Sequence, residues 1–302
     1  MKQGLIFDIK SYAINDGPGI RIAIYLKGCP LACEWCHNPE GISPHVQKMF
    51  TYSKCIACGG CVDACPENAC KLTPEGIVTD PDLCKLCGKC AEVCPSGATE
   101  MSGKKASVED IMKRIRKEIV FFDHSKGGVT FSGGEPLMQP DYLIELLDAC
   151  GEEGIHRAVD TSGFAKTEIL LNVAKRTDLF LYDLKMLDPE KHKKHTGVSN
   201  EKILENLRIL SETGARINIR YPMIKGVNAD EKEIREMADF ISSLAGEKKE
   251  VSILPFHRLA EMKHRKLGNH YELSGMSEPS LEERTRAIEI FEGFGLKASI
   301  GG

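Results

Sequence analysis

No segment for export or membrane insertion is expected in this chain. Its first residues, MKQGLIFDIKSYAIND, hold no apolar run of signal-peptide length. Nowhere does an apolar stretch reach the roughly 18 residues of a membrane span. An excess of one charge is missing too. The 40 Lys and Arg against 44 Asp and Glu leave a net charge of −4 and a pI of about 6.2. No nucleic-acid partner held by charge is expected. These absences point to a soluble, cytoplasmic protein, and 302 residues with 42% hydrophobic composition suffice for one larger domain plus a small insert.

Cysteine is not scarce. There are 13, nearly all between positions 29 and 94. In a chain of this size without an export signal, clustered C-x2-C spacing favours metal binding over disulfides. Two runs, CIACGGCVDACP and CKLCGKCAEVCP, both read C-x2-C-x2-C-x3-C-P. That is the bacterial ferredoxin run, in which the fourth Cys ligates the other cluster. Cys55, Cys58, Cys61 and Cys94 are therefore expected to hold one [4Fe–4S] cluster, and Cys84, Cys87, Cys90 and Cys65 a second. A zinc site would not need eight cysteines in two matched copies. The repeat has a period of 29 and defines an insert at 46–103, with modules at about 46–75 and 76–103. Cys70 and Cys150 are left over and read as buried structural thiols.

A third group, LKGCPLACEWCHNPEG at 26–41, lacks a fourth cysteine. Cys29, Cys33 and Cys36 can bind three irons of a cubane and leave one iron open, a ligand site as an open position on zinc is. This C-x3-C-x2-C spacing resembles the signature of the radical S-adenosylmethionine (SAM) superfamily. The resemblance implies that the open iron is chelated by the amino and carboxylate groups of SAM, and that an electron cleaves the sulfonium to a 5′-deoxyadenosyl radical. FSGGEP at 131–136 resembles the GGE motif of that superfamily. Its glycines would let the backbone approach a ligand, and its carbonyls and Glu135 could accept from the SAM amino group. DTSG at 160–163, LYDLK at 181–185, RYPMIKG at 220–226 and LPFHR at 254–258 also end expected strands. Five polar motifs at the C-terminal ends of strands is the layout of a β/α-barrel active site.

DGPGIR at 16–21 followed by KGCPLACEWCHNPE is similar to the glycyl-radical-enzyme activating enzymes, the family of pyruvate formate-lyase activase, and the likeness runs to the final ASIGG. It implies that Trp35, Cys36 and His37 touch the adenosyl part of SAM and that Gly134 meets the methionyl amino group. Asp183 and Lys185, with Leu184 between them, would lie along the methionine and ribose, and His257 and Arg220 would complete the site. Asp160, Thr161, Asp183 and the Leu181 carbonyl match a monovalent-cation site of that family. The pyruvate formate-lyase activase itself lacks the ferredoxin insert, so this chain is more like the activases of glycyl radical lyases, dehydratases, decarboxylases and fumarate-adding synthases. Three [4Fe–4S] clusters, SAM, a glycyl radical enzyme as protein substrate and a flavodoxin or ferredoxin as electron donor follow.

Outside the insert, strands are expected at 20–28, 128–132, 155–160, 178–184, 215–221 and 250–256, and helices at 107–122, 141–153, 167–176, 200–213, 230–244 and 280–294. Alternation of the two gives an α/β fold, a partial (β/α)6 barrel spanning 1–45 and 104–302. Ser107 and Asp110 resemble a capping box. Two other readings share part of this evidence. A radical SAM enzyme acting on a small molecule would keep the three-cysteine group, and a two-cluster electron carrier would leave that group unexplained.

Overall fold

The computed structural model describes residues 2–74, 76–269 and 275–301. The module boundary expected at Glu75 and the closing Gly302 lie outside the described residues. The chain opens with β1 (Gln3–Ala13) and β2 (Arg21–Leu26), an antiparallel pair. A segment with two small sheets of its own follows. In it β3 (Gln47–Phe50) pairs with β6 (Thr99–Ser102), and β4 (Cys70–Thr73) pairs with β5 (Gly76–Thr79). Its two short helices, α1 (Gly60–Asp63) and α2 (Lys89–Glu92), each start after a glycine with positive φ, Gly59 or Gly88. The main sheet resumes with β7 (Lys104–Ser107), which pairs antiparallel with β1. Helices and strands then alternate through α3 (Val108–Arg116), α4 (Ile119–Ser125), β8 (Gly128–Gly133), α5 (Pro140–Glu152), β9 (Arg157–Thr161), α6 (Thr167–Ala174) and β10 (Leu179–Asp183). They continue through α7 (Pro189–Thr196), α8 (Glu201–Glu212), β11 (Ile217–Met223), α9 (Glu231–Ser242), β12 (Glu250–Pro255), α10 (Glu261–Lys266), α11 (Leu281–Gly293) and β13 (Lys297–Ile300).

The main sheet has nine strands in the order β13-β12-β11-β10-β9-β8-β2-β1-β7. From β2 to β13 neighbouring strands run parallel. The six strands expected from the alternation form its contiguous centre, and the six expected helices are present, the first split into α3 and α4. Ser107 and Asp110 do form the capping box of α3. The sequence reading did not include β1, β7 or β13. β1 is half-exposed along most of its length, so its residues show no clean apolar alternation. Among the described residues no helix is long and apolar enough to cross a membrane.

Strand periodicity divides the sheet into two faces. Ile22, Ile24 and Leu26, Val129 and Phe131, Phe180 and Tyr182, Ile219 and Tyr221, and Val251 and Ile253 all belong to one buried cluster with the helices. In α5 the buried residues Tyr142, Leu143, Leu146, Leu147 and Cys150 follow helical spacing onto that face. Cys150 is fully buried there with its Sγ 3.7 Å from Met112 Sδ, which suits a structural thiol. The opposite face carries Ser132, Asp160, Asp183 and Arg220.

The turn between β1 and β2 is tied down by Arg21, a guanidinium with no exposure at all. Its Nε donates to Thr130 Oγ1 at 2.7 Å, Nη1 to the Pro18 carbonyl at 3.0 Å and Nη2 to the Val129 carbonyl at 2.6 Å. Thr130 Oγ1 in turn donates to the Asp16 carbonyl at 2.7 Å. Gly19 sits at φ +71°, and a Cβ there would meet the Ser125 carbonyl at 2.5 Å, so only glycine fits. Burial lowers the Arg21 pKa to about 10, with Asp16 opposing. Arg21→Met strips donors from three buried acceptors. It is expected to lower stability by about 2–4 kcal/mol in anaerobic urea unfolding. A loss below about 0.5 kcal/mol, the range of an ordinary surface change, would contradict this role.

Candidate active site

The strand ends open into a cavity of about 230 Å³. Cys29, Cys33 and Cys36 line it together with Trp35, His37, Gly134, Asp183, Lys185 and Arg220, so seven of the nine residues expected to touch SAM meet in one place. Two do not line it. Leu184 follows Asp183 and therefore points to the other face, where it is fully buried in the core. His257 stacks on His37 instead, with ring centroids 4.1 Å apart.

The three-cysteine loop is held by backbone bonds to distant segments. The N–H of Cys29 donates to the Ile42 carbonyl at 2.9 Å, that of Ala32 to Thr196 at 2.8 Å and that of Glu34 to His195 at 3.1 Å. His264 of α10 lies with Nε2 3.0 Å from the Cys36 carbonyl, and Lys263 pairs with Glu40 at 2.9 Å. Trp35 packs under the loop with Met186, Ile224, Val227, Phe256 and Met276. Burial pushes all three thiols up, Cys36 to about 12. Such thiols become thiolates only beside a positive countercharge such as a metal.

Strand register sets the charged floor. Asp183 stands beside Arg220 across β10 and β11, and Tyr25 beside Ser132 across β2 and β8. Arg220 Nη1 lies 3.3 Å from Asp160 Oδ2 and 3.6 Å from Asp16 Oδ1. Ser132 Oγ donates to Asp160 at 2.7 Å, Tyr25 to Asp16 at 3.2 Å and Lys185 Nζ to Asp183 at 2.8 Å. Burial raises Asp160 to about 7, aided by Asp183 and Asp16 and opposed by Arg220. Burial works against the charges of Arg220 and Lys185, yet the neighbouring carboxylates outweigh it and raise both. Burial and the neighbouring His257 lower His37 to about 4. Buried His37 Nε2, His257 Nδ1 and Arg220 Nε have no hydrogen-bond partner among the described residues. Unpaired buried polar atoms are costly, so these fit a site completed by a polar ligand.

Two expectations need correction. Glu135 does not face the cavity as a free acceptor. Its buried carboxylate accepts from Leu137 N at 3.1 Å, Thr161 Oγ1 at 2.6 Å, Ser162 N at 2.8 Å and Ser162 Oγ at 2.6 Å. It is a latch between the loops after β8 and β9. The glycines of this motif are also required by backbone packing rather than by ligand approach alone. A Cβ on Gly133 would meet the Leu26 carbonyl at 2.3 Å, and one on Gly134 the carbonyls of Gly28 and Gly41 at 2.4 Å each.

The groups matched to a monovalent cation are engaged within the chain: Asp160 with Ser132 and Arg220, Asp183 with Lys185, and Thr161 with Glu135. Ser132, Ser162, Asn38, Pro222, Ile224, Leu254 and Phe256 fall inside the motifs quoted above without being singled out there, and they also line the cavity; Tyr25, outside those motifs, was missed. Ser132 and Leu254 lie at ends of expected strands, where alternation could have found them.

The small-sheet segment encloses two further cavities. One is lined by Cys55, Cys58, Cys61 and Cys94, the other by Cys65, Cys84, Cys87 and Cys90, with Cys70 against the second. Each set draws its fourth thiol from the other half of the repeat. Among the described residues no three His, Cys, Asp or Glu side chains converge closely enough to hold a single metal ion.

Residues 24–241 match the radical SAM superfamily. The chain is 42% identical over 301 residues to the trans-4-hydroxy-L-proline dehydratase activating enzyme of Clostridioides difficile, covering 99% of each. It is 37% identical over 310 residues to the benzylsuccinate synthase activating enzyme of Thauera aromatica, covering 100% of this chain and 94% of that one. A solved domain of a pyruvate-formate lyase-activating enzyme from Bacteroides vulgatus superposes with a TM-score of 0.51 at 42% identity, covering 58% of this chain and 99% of that one. With three thiols and a charged strand-end floor in one cavity, these likenesses leave one conclusion: the chain belongs to the radical SAM superfamily, among the activating enzymes of glycyl radical enzymes.

Proposed function

We propose that this chain binds SAM in the strand-end cavity and, with an electron relayed through its cysteine-rich segment, generates a glycyl radical on a separate enzyme. The observation that carries the reading is the meeting of Cys29, Cys33 and Cys36 with Lys185, Asp183 and Arg220 around one cavity. When bound, the cluster and SAM together supply a one-electron cleavage that yields a hydrogen-abstracting 5′-deoxyadenosyl group. The residues bind, orient and exclude water. The three thiols would hold the cluster, and with no fourth cysteine in the group one iron would be left for the amino acid end of SAM. Arg220 Nε offers an unused donor there, and the Gly133–Gly134 backbone forms the adjoining edge. Lys185 and Asp183 fix one another along the methionine and ribose. Trp35 to His37, with His257 stacked behind, face the adenosyl part, and Pro222, Ile224, Leu254 and Phe256 add apolar wall. Asp160, Thr161, Asp183 and the Leu181 carbonyl are the groups that would take a monovalent cation, and the contacts of Asp160 with Ser132 and Arg220 and of Asp183 with Lys185 use one oxygen of each carboxylate.

Residues 46–103 form a two-module ferredoxin-type insert in this proposal, separate from the catalytic domain of 1–45 and 104–302. Two cavities with crossed cysteine sets support two [4Fe–4S] clusters, making three in all. Zinc is disfavoured because it would not need eight cysteines in two matched copies, each ending in Cys-Pro. A flavodoxin or ferredoxin is the proposed donor. The partner's glycine suits the chemistry, since a radical at its Cα is delocalised over two amides and no Cβ blocks approach. A cytoplasmic setting fits a chain with no membrane-crossing helix among its described residues.

The reading is tested by mixing the anaerobic holoenzyme with SAM, a low-potential reductant and a candidate glycyl radical enzyme from the same organism. A doublet glycyl radical signal in electron paramagnetic resonance is expected, lost when the partner glycine becomes alanine. Consumption of a small metabolite in step with SAM, without a protein radical, would replace this reading with a small-molecule enzyme.

Cluster number is tested separately. The reconstituted chain is expected to hold about twelve irons, and Cys36→Ala about eight, with no 5′-deoxyadenosine formed. A wild-type plateau near four irons would remove the insert clusters, and normal turnover by Cys36→Ala would remove the site assignment.

A further inference from the structure

The two halves of the cysteine-rich segment repeat so closely that their cavities can be compared position by position. β3 and β5 stand 29 residues apart, as do β4 and β6 and the two cysteine runs. A residue near one cavity therefore has a counterpart near the other, and the counterparts differ in charge. The cavity of Cys65, Cys84, Cys87 and Cys90 is also lined by Lys48, Glu67, Cys70 and Lys85. At the matching positions the cavity of Cys55, Cys58, Cys61 and Cys94 has Ile77, Ser96, Thr99 and Ile56. Two lysines and one glutamate give the first a lining charge of +1, while the counterparts in the second carry none.

Lys48 is the least solvated of these charges. Its Nζ lies 2.6 Å from Thr79 Oγ1 and 3.3 Å from Cys70 Sγ, and no carboxylate among the described residues pairs with it. Lys85 and Glu67 are exposed and screened by water. The counterpart of Lys48, Ile77, is 5% exposed and packs with Cys61 and Cys90. Lys48 and its cross-strand partner Met101 also stand one residue from Gln47 and Ser102. Those two residues contact Nζ of Lys27, which lies two positions before Cys29. The charged cavity is thus at the root of the segment, on the side of the SAM site.

We propose that Lys48 sets the direction of electron flow through the segment, by making the cluster held by Cys65, Cys84, Cys87 and Cys90 easier to reduce than its twin. A fixed positive charge beside a cluster stabilises the reduced form, which carries one more negative charge. One electron from a low-potential one-electron donor protein enters at the twin, passes to the cluster beside Lys48 and leaves toward the Cys29, Cys33 and Cys36 site. No bond is made or broken and no proton is required. This rests on the two-cluster reading of the segment.

The test is a redox-poised electron paramagnetic resonance titration of the full-length, fully reconstituted chain, with the third cluster identified by its response to SAM. Two separated steps are expected for the segment. Lys48→Ile should lower only the higher one, making that cluster about tenfold harder to reduce, or about 59 mV for one electron. Lys48→Arg should keep it. Ile77→Lys should raise only the lower step, and it decides the matter if Lys48→Ile fails to fold. Unchanged potentials in variants holding about twelve irons overturn the role of Lys48. A wild-type chain holding about four irons overturns instead the two-cluster reading beneath it.

Discussion

Alternation of side chains along parallel strands is the constraint on which the site depends. Asp160, Asp183 and Arg220 face the cavity only because their neighbours Val159, Tyr182 and Ile219 face the helices. A one-residue slip of any of these strands would drive a charge into the apolar cluster and a large apolar side chain into the cavity. Isolated burial of such charges costs several kcal/mol each. The floor avoids that by pairing: Arg220 between Asp160 and Asp16, and Lys185 on Asp183. Register, core and active site are therefore one arrangement.

The loops above that floor are fixed by groups that never touch the cavity with their charged atoms. Glu135 joins the loops after β8 and β9 through four accepted hydrogen bonds. Arg21 holds the turn that presents Asp16. α10 clasps the stretch from Cys36 to Glu40 through His264 and Lys263. Pairing such as this fixes the loop that carries the three thiols over the strand ends.

Much of this was legible in the sequence, for physical reasons that differ by region. The six central strands and the helices between them carry strong apolar patterns because both are buried against one another, as in β2, whose six residues are all buried. Cysteine spacing marked three groups of thiols, and each group lines a cavity of its own. What escaped lies where local sequence carries no such signal. β1 is half-exposed and reads as mixed polar and apolar. Leu184 sits inside a functional motif, and only strand parity shows that it turns away from the cavity. Glu135 looks like a free acceptor until Thr161 and Ser162, distant in sequence, are seen to bind it. The contrast between Lys48 and Ile77 becomes visible only when the repeat is folded around its two cavities.

The central claim is that Cys29, Cys33 and Cys36 hold a cluster with one iron left for the amino acid end of SAM. The most direct measurement is electron–nuclear double resonance on the reduced holoenzyme with SAM labelled by nitrogen-15 at the methionyl amino group. A nitrogen coupling large enough to require direct iron ligation is predicted, absent from Cys36→Ala. No such coupling in a protein shown to bind SAM would contradict the account.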